Sequence, residues 1–226
     1  MKFPIFASVI VFCIWLAYEI KKSTKKGNKA EKEFWDKEAA ADKARKQPLD
    51  NLSYIVLPEE ILAPFCDDSG NLLSPNSDMD KKYSDALIAF SHLKNSKIVN
   101  LTNISNTDLK LTYGAANLPE LTLYDQNFTL LTRTLQDTAE YFISVDRIPT
   151  AKNLLEYAVA CGTDSIGTYK LLSKIYSDEG NYSKIDYLIS SASLLTGLTK
   201  GPIIKHLQSI DRSDNTVEES ILDILD

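Results

Sequence analysis

The sequence predicts an all-α protein: helical hairpins stacked as a short solenoid with capping helices, preceded by one apolar anchor and a basic helical stalk. Three observations predict it. Apolar residues recur at steps of three and four from Leu118 to Ala192, the period of a helix face. Residues 3–18 form an uncharged apolar run at the N-terminus. Between these lies a stretch, 30–46, rich in Glu, Lys and Ala and free of Gly and Pro, which favours helix.

The apolar run FPIFASVIVFCIWLAY is 16 residues long. As a helix it measures about 24 Å, short of a hydrocarbon core of about 30 Å. Lys2 and Lys21 can close the gap by snorkelling, Trp15 and Tyr18 suit the interfacial belt, and Pro4 falls in the first turn, where its missing N–H does little harm. A cleaved signal peptide would carry its charge in front and small residues behind. Here Lys21, Lys22, Lys25, Lys26 and Lys29 follow the run, Ala17-Tyr18-Glu19 is too bulky for a cleavage site, and Cys13 lacks the small residues that precede a lipoprotein cysteine. The reading is a retained anchor over 1–20. Positive flanks stay cytoplasmic, so the rest of the chain is expected to face the cytosol.

Residues 21–46 form the stalk. They hold ten Lys/Arg against five Asp/Glu, a net +5, and leave 14 bases against 25 acids in 47–226, a net −11. Such a basic segment is drawn to anionic headgroups; the acidic body disfavours nucleic acid as a partner. Residues 47–78 read as a linker. Within it 51–57 (NLSYIVL) suit a short strand or extended segment, Pro58-Glu59-Glu60 opens a helical turn, and 64–78 reads as a loop. Asp67-Asp68-Ser69-Gly70-Asn71 has the start of a calcium loop without its later ligands.

The helical domain covers 79–226. A helix is expected over 79–93, with Tyr83, Ala86, Leu87, Phe90 and Leu93 on one stripe. A short one is capped by Ser105 and broken at Gly114, and a long one runs from about Asn117 to Val145. Three more follow: one carrying Ala151, Leu155 and Ala158 and closed by Cys161-Gly162-Thr163, one from about Ser165 to the turn Glu179-Gly180-Asn181, and one ending near Gly197. Residues 202–210 read as a capping helix and 216–225 as a final one.

A shift of 34 superposes Leu135 on Tyr169, Phe142 on Tyr176, Ala151 on Ile185, Leu155 on Ile189 and Ala158 on Ala192. Over residues 132–199 this helix–turn–helix period resembles the tetratricopeptide repeat. Tyr169, Leu172, Ser173 and Tyr176 stand where that family has its W, L, G and Y; Gly197 stands in place of its proline, Ile185 in place of a small alanine, and Thr138 in place of a leucine. The resemblance implies a concave groove lined by the first helix of each pair, which takes an extended peptide or a protein. Its positions here are Arg133, Gln136, Glu140 and Ser144, then Lys170, Lys174 and Asp178; Arg133, Lys170 and Lys174 suit a carboxylate.

Two His and three scattered Cys leave little for a metal centre or a disulfide framework, and no phosphate loop, nucleophile elbow or zinc-protease motif is present. His92 and His206 have no nucleophile beside them in any motif. No enzyme activity, cofactor or metal is expected. The expected function is recruitment or scaffolding of a protein partner at the cytoplasmic membrane face by a single-pass protein. The alternative is an exported, surface-anchored helical domain that binds an extracellular ligand.

Overall fold

The computed structural model describes residues 3–76 and 79–211, with side chains from Ser8 onward, and within them the protein is all-α. Its helices are α1 (Phe3–Asp42), α2 (Glu59–Leu62), α3 (Lys81–Leu93), α4 (Asn106–Tyr113), α5 (Leu118–Ser144), α6 (Ile148–Ala160), α7 (Ile166–Asp178), α8 (Tyr182–Ser193) and α9 (Lys200–Gln208). The expected final helix over 216–225 lies outside the described residues. The chain divides into two compact units, Met1–Asp50 with Ile104–Pro119, and Asn51–Asn103 with Glu120–Asp226.

In the first unit, the segments expected as anchor and stalk lie on one unbroken helix, Phe3–Asp42. Among the described residues no helix is long and apolar enough to cross a membrane; from Ser8 the apolar stretch meets Glu19, Lys21 and Lys22 within a few turns. The stalk helix ends at Asp42 rather than at 46. There Lys43 and Ala44 close a last turn onto the carbonyls of Ala40 and Ala41, and the Gln47 N–H bonds the distant Tyr113 carbonyl at 2.9 Å.

The end of α1 is more than a solvated spacer, because it packs on α4. Ala41 and Leu109 are buried there, and charge surrounds them. Lys37 pairs with Asp108 at 2.8 Å, Lys110 with Asp42 at 2.7 Å and with Glu38 at 3.3 Å, and Thr107 donates to Glu38. Ser105 caps α4 as its sequence predicts, accepting from the Asp108 N–H. Gly114 ends the helix at φ 91°, where a Cβ would collide with the Arg45 carbonyl and stand 2.7 Å from the Lys46 Cα. Only glycine tolerates both the angle and the approach.

The second unit has an apolar core that runs from Ile61 to Leu207. Residues 51–57 make no strand among the described residues; they are extended, with one antiparallel bridge from Tyr54 to Val99. The loop over 64–78 is more structured than its turn-forming composition suggests. Cys66 bridges to Leu72, the Asp67 carboxylate accepts from the Ser69 and Asn71 N–H groups at 2.9 Å each, and Phe65 is fully buried against Phe90 and Phe142. The acid that begins the calcium-like sequence is thus a turn cap.

Helices α5 to α9 follow the predicted order. Of the ten positions matched by the 34-residue shift, nine are buried and Ile189 is partly so. Ala158 and Ala192 are fully buried, small residues that let neighbouring helices approach. The turns repeat as well. After α5 the Arg147 N–H bonds the Phe142 carbonyl and Asp146 that of Ile143; after α7, 34 residues on, Asn181 bonds Tyr176 and Gly180 bonds Ser177. Both are Schellman closures with a left-handed residue after the cap, Asp146 at φ 59° and Gly180 at φ 66°. α8 stops at Ser193, short of Gly197, and α9 caps the unit against α7 and α8.

Candidate partner-binding surface

The positions assigned to the groove fall into two sets with different surroundings. On α5, Glu140 meets Lys82 of α3 at 2.6 Å. The Lys82 ammonium, by its hydrogen bond, holds the Glu140 carboxyl below its ordinary value against the opposing pull of burial, and the same bond raises Lys82. Ala86 and Ala89 of α3 and Leu130, Thr134 and Thr138 of α5 line a cavity of about 240 Å3, which Arg133 also borders. Arg133 itself is exposed and pairs with Asp137 at 3.6 Å. This face of α5 is therefore flanked by the chain's own α3. Sequence reasoning did not place α3 there; the small residues at 86, 89, 134 and 138 were the available signal.

Gln136 works inside the unit. Its Oε1 accepts from the Ser165 hydroxyl at 2.6 Å and from Thr168 at 3.4 Å, and its Nε2 donates to Glu140 at 3.2 Å. A Cβ at Gly167 would sit 2.6 Å from that amide, so the glycine admits the side chain to the first turn of α7. Ser165, spent on Gln136, makes no side-chain cap to its own helix. Ser144 is exposed at the end of α5 and donates to the Tyr141 carbonyl at 2.7 Å.

On α7 the arrangement is open. Lys170, Lys174 and Asp178 follow one another turn by turn and are exposed. With Leu171, His206 and Ile210 they line a cavity of about 510 Å3 between α7 and the end of α9. Neither lysine is in an ion pair among the described residues. His206, which the sequence placed near a helix end, comes to 3.4 Å from the Ser173 hydroxyl. That hydroxyl is buried and donates to the Lys170 carbonyl at 3.1 Å, so the contact ties α9 to α7 and presents no nucleophile at the surface. His92 lies 3.3 Å from the Asn127 carbonyl oxygen.

Below this surface, Tyr176 is buried and donates to Glu156 at 2.5 Å. Burial first, and then that carboxylate, push its phenol far above the ordinary value. Lys152 lies over the Tyr176 ring and pairs with Glu179 at 2.7 Å, which joins α6 to the end of α7. These contacts tie the helix that carries Lys170 and Lys174 to α6. No protein-family model, curated protein or solved structure matches the chain.

Proposed function

We propose that the chain is an N-terminally anchored helical-repeat protein that recruits a protein partner, through an acidic segment of that partner, at the cytoplasmic face of a membrane. The observation that carries this reading is the open α7–α9 surface. Two exposed lysines one turn apart, without ion pairs among the described residues, flank an amphipathic cavity with Leu171 and Ile210 in its lining. Carboxylates suit the lysines, and an apolar side chain suits the cavity floor. The tetratricopeptide-like reading of 132–199 rests on the 34-residue recurrence of buried positions and of helix closures.

The anchor reading is supported by the sequence run over 3–18 and by the exposure of its described part. Val11, Phe12, Ile14 and Trp15 of α1 are each more than half exposed, an apolar surface of the kind that marks contact with a membrane or partner. The lysines directly behind it supply the orientation and about 1 kcal/mol each of attraction to anionic lipid when close to it.

The test is a photo-crosslinking amino acid placed at Lys174 in the full-length protein, in membranes, with Ser190 on α8 as the control position. The reading expects one adduct of defined mass at position 174, lost when Lys170 becomes Glu, and none at 190. Equal labelling at both positions, or none at 174, overturns the assignment of this surface.

A further inference from the structure

A second cavity, of about 360 Å3, opens where α6 and α8 end, and it takes no part in the surface described above. Asn100, Asn103, Asp164, Tyr169, Tyr187 and Ser191 supply its polar lining, and Val159 and Leu194 its apolar wall. Both helices point their C-termini at it, and a helix C-terminus carries roughly half a negative charge. Asp164 adds a full one. Its recorded contact is a long hydrogen bond from the Thr199 hydroxyl, 3.4 Å, and it belongs to no ion pair among the described residues. No Lys or Arg lines the cavity.

Tyr169 is the second, independent feature. It is 1% exposed, yet among the described residues its hydroxyl has no hydrogen-bond partner. Among the described residues the fully buried side-chain atom without a partner is Asn117 Oδ1, so the Tyr169 hydroxyl opens to the cavity, where a ligand can meet it. Burial, with Asp164 and Tyr187 nearby, raises its phenol to about 12, so at neutral pH it stays an uncharged ring and hydroxyl. Tyr187, 56% exposed, brings an accessible ring to the same cavity. That ring, the Asp164 carboxylate and the C-terminal end of α6 share one preference, for a positive charge. The chain gives an example beside the site: the Lys200 ammonium bonds the Ser193 carbonyl at the end of α8, at 2.5 Å. Asn100 makes the site rigid, donating to the Cys161 and Gly162 carbonyls at 3.2 and 3.1 Å and accepting from the Thr102 N–H.

We propose that this cavity binds an organic cation, an alkylammonium or guanidinium group. Its charged end meets Asp164, the Tyr169 hydroxyl and the Tyr187 ring, and its apolar stem lies along Val159 and Leu194. The group is carried either by a free polyamine or by a Lys or Arg side chain of a basic polypeptide, which share this chemistry.

The test titrates the full-length protein in detergent micelles by calorimetry with spermidine, with a doubly capped lysine, and with doubly capped norleucine as the neutral counterpart. The cations are expected to bind saturably with Kd of about 1 mM or tighter and norleucine not to bind. Tighter binding of spermidine identifies a free amine as the natural ligand, and equal or tighter binding of the capped lysine identifies a side chain. Asp164→Asn is expected to weaken the cation about tenfold, and Asp68→Asn, on an exposed loop, to leave it unchanged. Norleucine binding as well as lysine, no saturable cation binding up to roughly 10 mM, an unchanged affinity in a folded Asp164→Asn, or an equal loss in Asp68→Asn each overturns the proposal. Should Asp164→Asn not fold, Tyr187→Ala decides: its side chain is exposed, and about threefold weaker binding is expected from loss of a cation–π partner, whereas unchanged affinity overturns the proposal.

Discussion

Lys110 in the first unit and Tyr176 in the second sit at equivalent points of their neighbourhoods, each touched from several sides, but by different forces. Around Lys110 the contacts are ionic: Asp42, Glu38 and, next to them, the Lys37–Asp108 pair and Thr107. The apolar burial there is Ala41 and Leu109. Around Tyr176 the phenol has one carboxylate partner and Lys152 and Lys184 lie over its ring, but Leu155, Ala158, Leu172, Ile185 and Leu188 belong to the same extended core. Partly exposed ion pairs contribute little apiece and respond to salt. Buried side chains contribute about 1.5–3 kcal/mol each and do not. One chain thus holds a unit joined mainly by charge and a unit joined mainly by apolar packing.

Substitutions in the core should break the comparison most strongly. Phe142→Ala removes a fully buried ring that contacts Phe65, Tyr83 and Tyr141, and should cost about 3–5 kcal/mol. It should lower the denaturant midpoint of the second unit, followed by amide exchange in α6 and α7. Ala192→Leu should overpack the contact of α8 with its neighbours and cost about 1–3 kcal/mol. If the exchange of α7 and α8 does not change in Ala192→Leu, the close helix contact assigned to that alanine is wrong.

The first unit should yield to a backbone change. Gly114→Ala meets both an unfavourable φ and the Arg45–Lys46 backbone, and should cost about 1–3 kcal/mol, measured as faster exchange in α4 with α7 unaffected. Acid should act on the same unit. Thr107 and then Lys110 lower Glu38, and Lys37 and Ser105 lower Asp108. A carboxyl lowered in the folded state stabilises it above its unfolded value, and this contribution is lost as pH falls through the folded one. The protection of α4 amides relative to their intrinsic exchange rates should therefore fall below about pH 4, before that of α7 does, and 1 M salt should act in the same direction. The smallest effect expected is that of Glu140→Gln. It removes a half-exposed pair with Lys82 and should cost no more than about 1 kcal/mol.

Much of the second unit is legible in the sequence, because its helices are set by local signals that agree. The 3.6-residue stripe, the small residues at 158 and 192 and the closures at Asp146 and Gly180 all state the same fold. Ser105 and Gly114 likewise announce the ends of α4 by their own chemistry. What escaped was long-range. Nothing in the run of residues 37–42 says that α4 will meet it, since Lys37, Glu38 and Asp42 also suit a solvated face. Phe65 sits among turn formers, and its burial depends on rings contributed by α3 and α5. The candidate surface divides along the same line. Lys170, Lys174 and Asp178 stay exposed at one-turn spacing on α7, whereas Gln136 and Glu140 are engaged by Ser165 and Lys82, residues 29 and 58 positions away.

The proposal at the centre of this reading, that the N-terminal apolar run is held in a membrane with the following residues in the cytosol, is tested most directly by protease protection. Protease added to intact cells should leave residues 21–226 whole, and the same protease after permeabilisation should digest them. Digestion in intact cells, or release of the uncut protein from membranes by alkaline carbonate, would contradict the account.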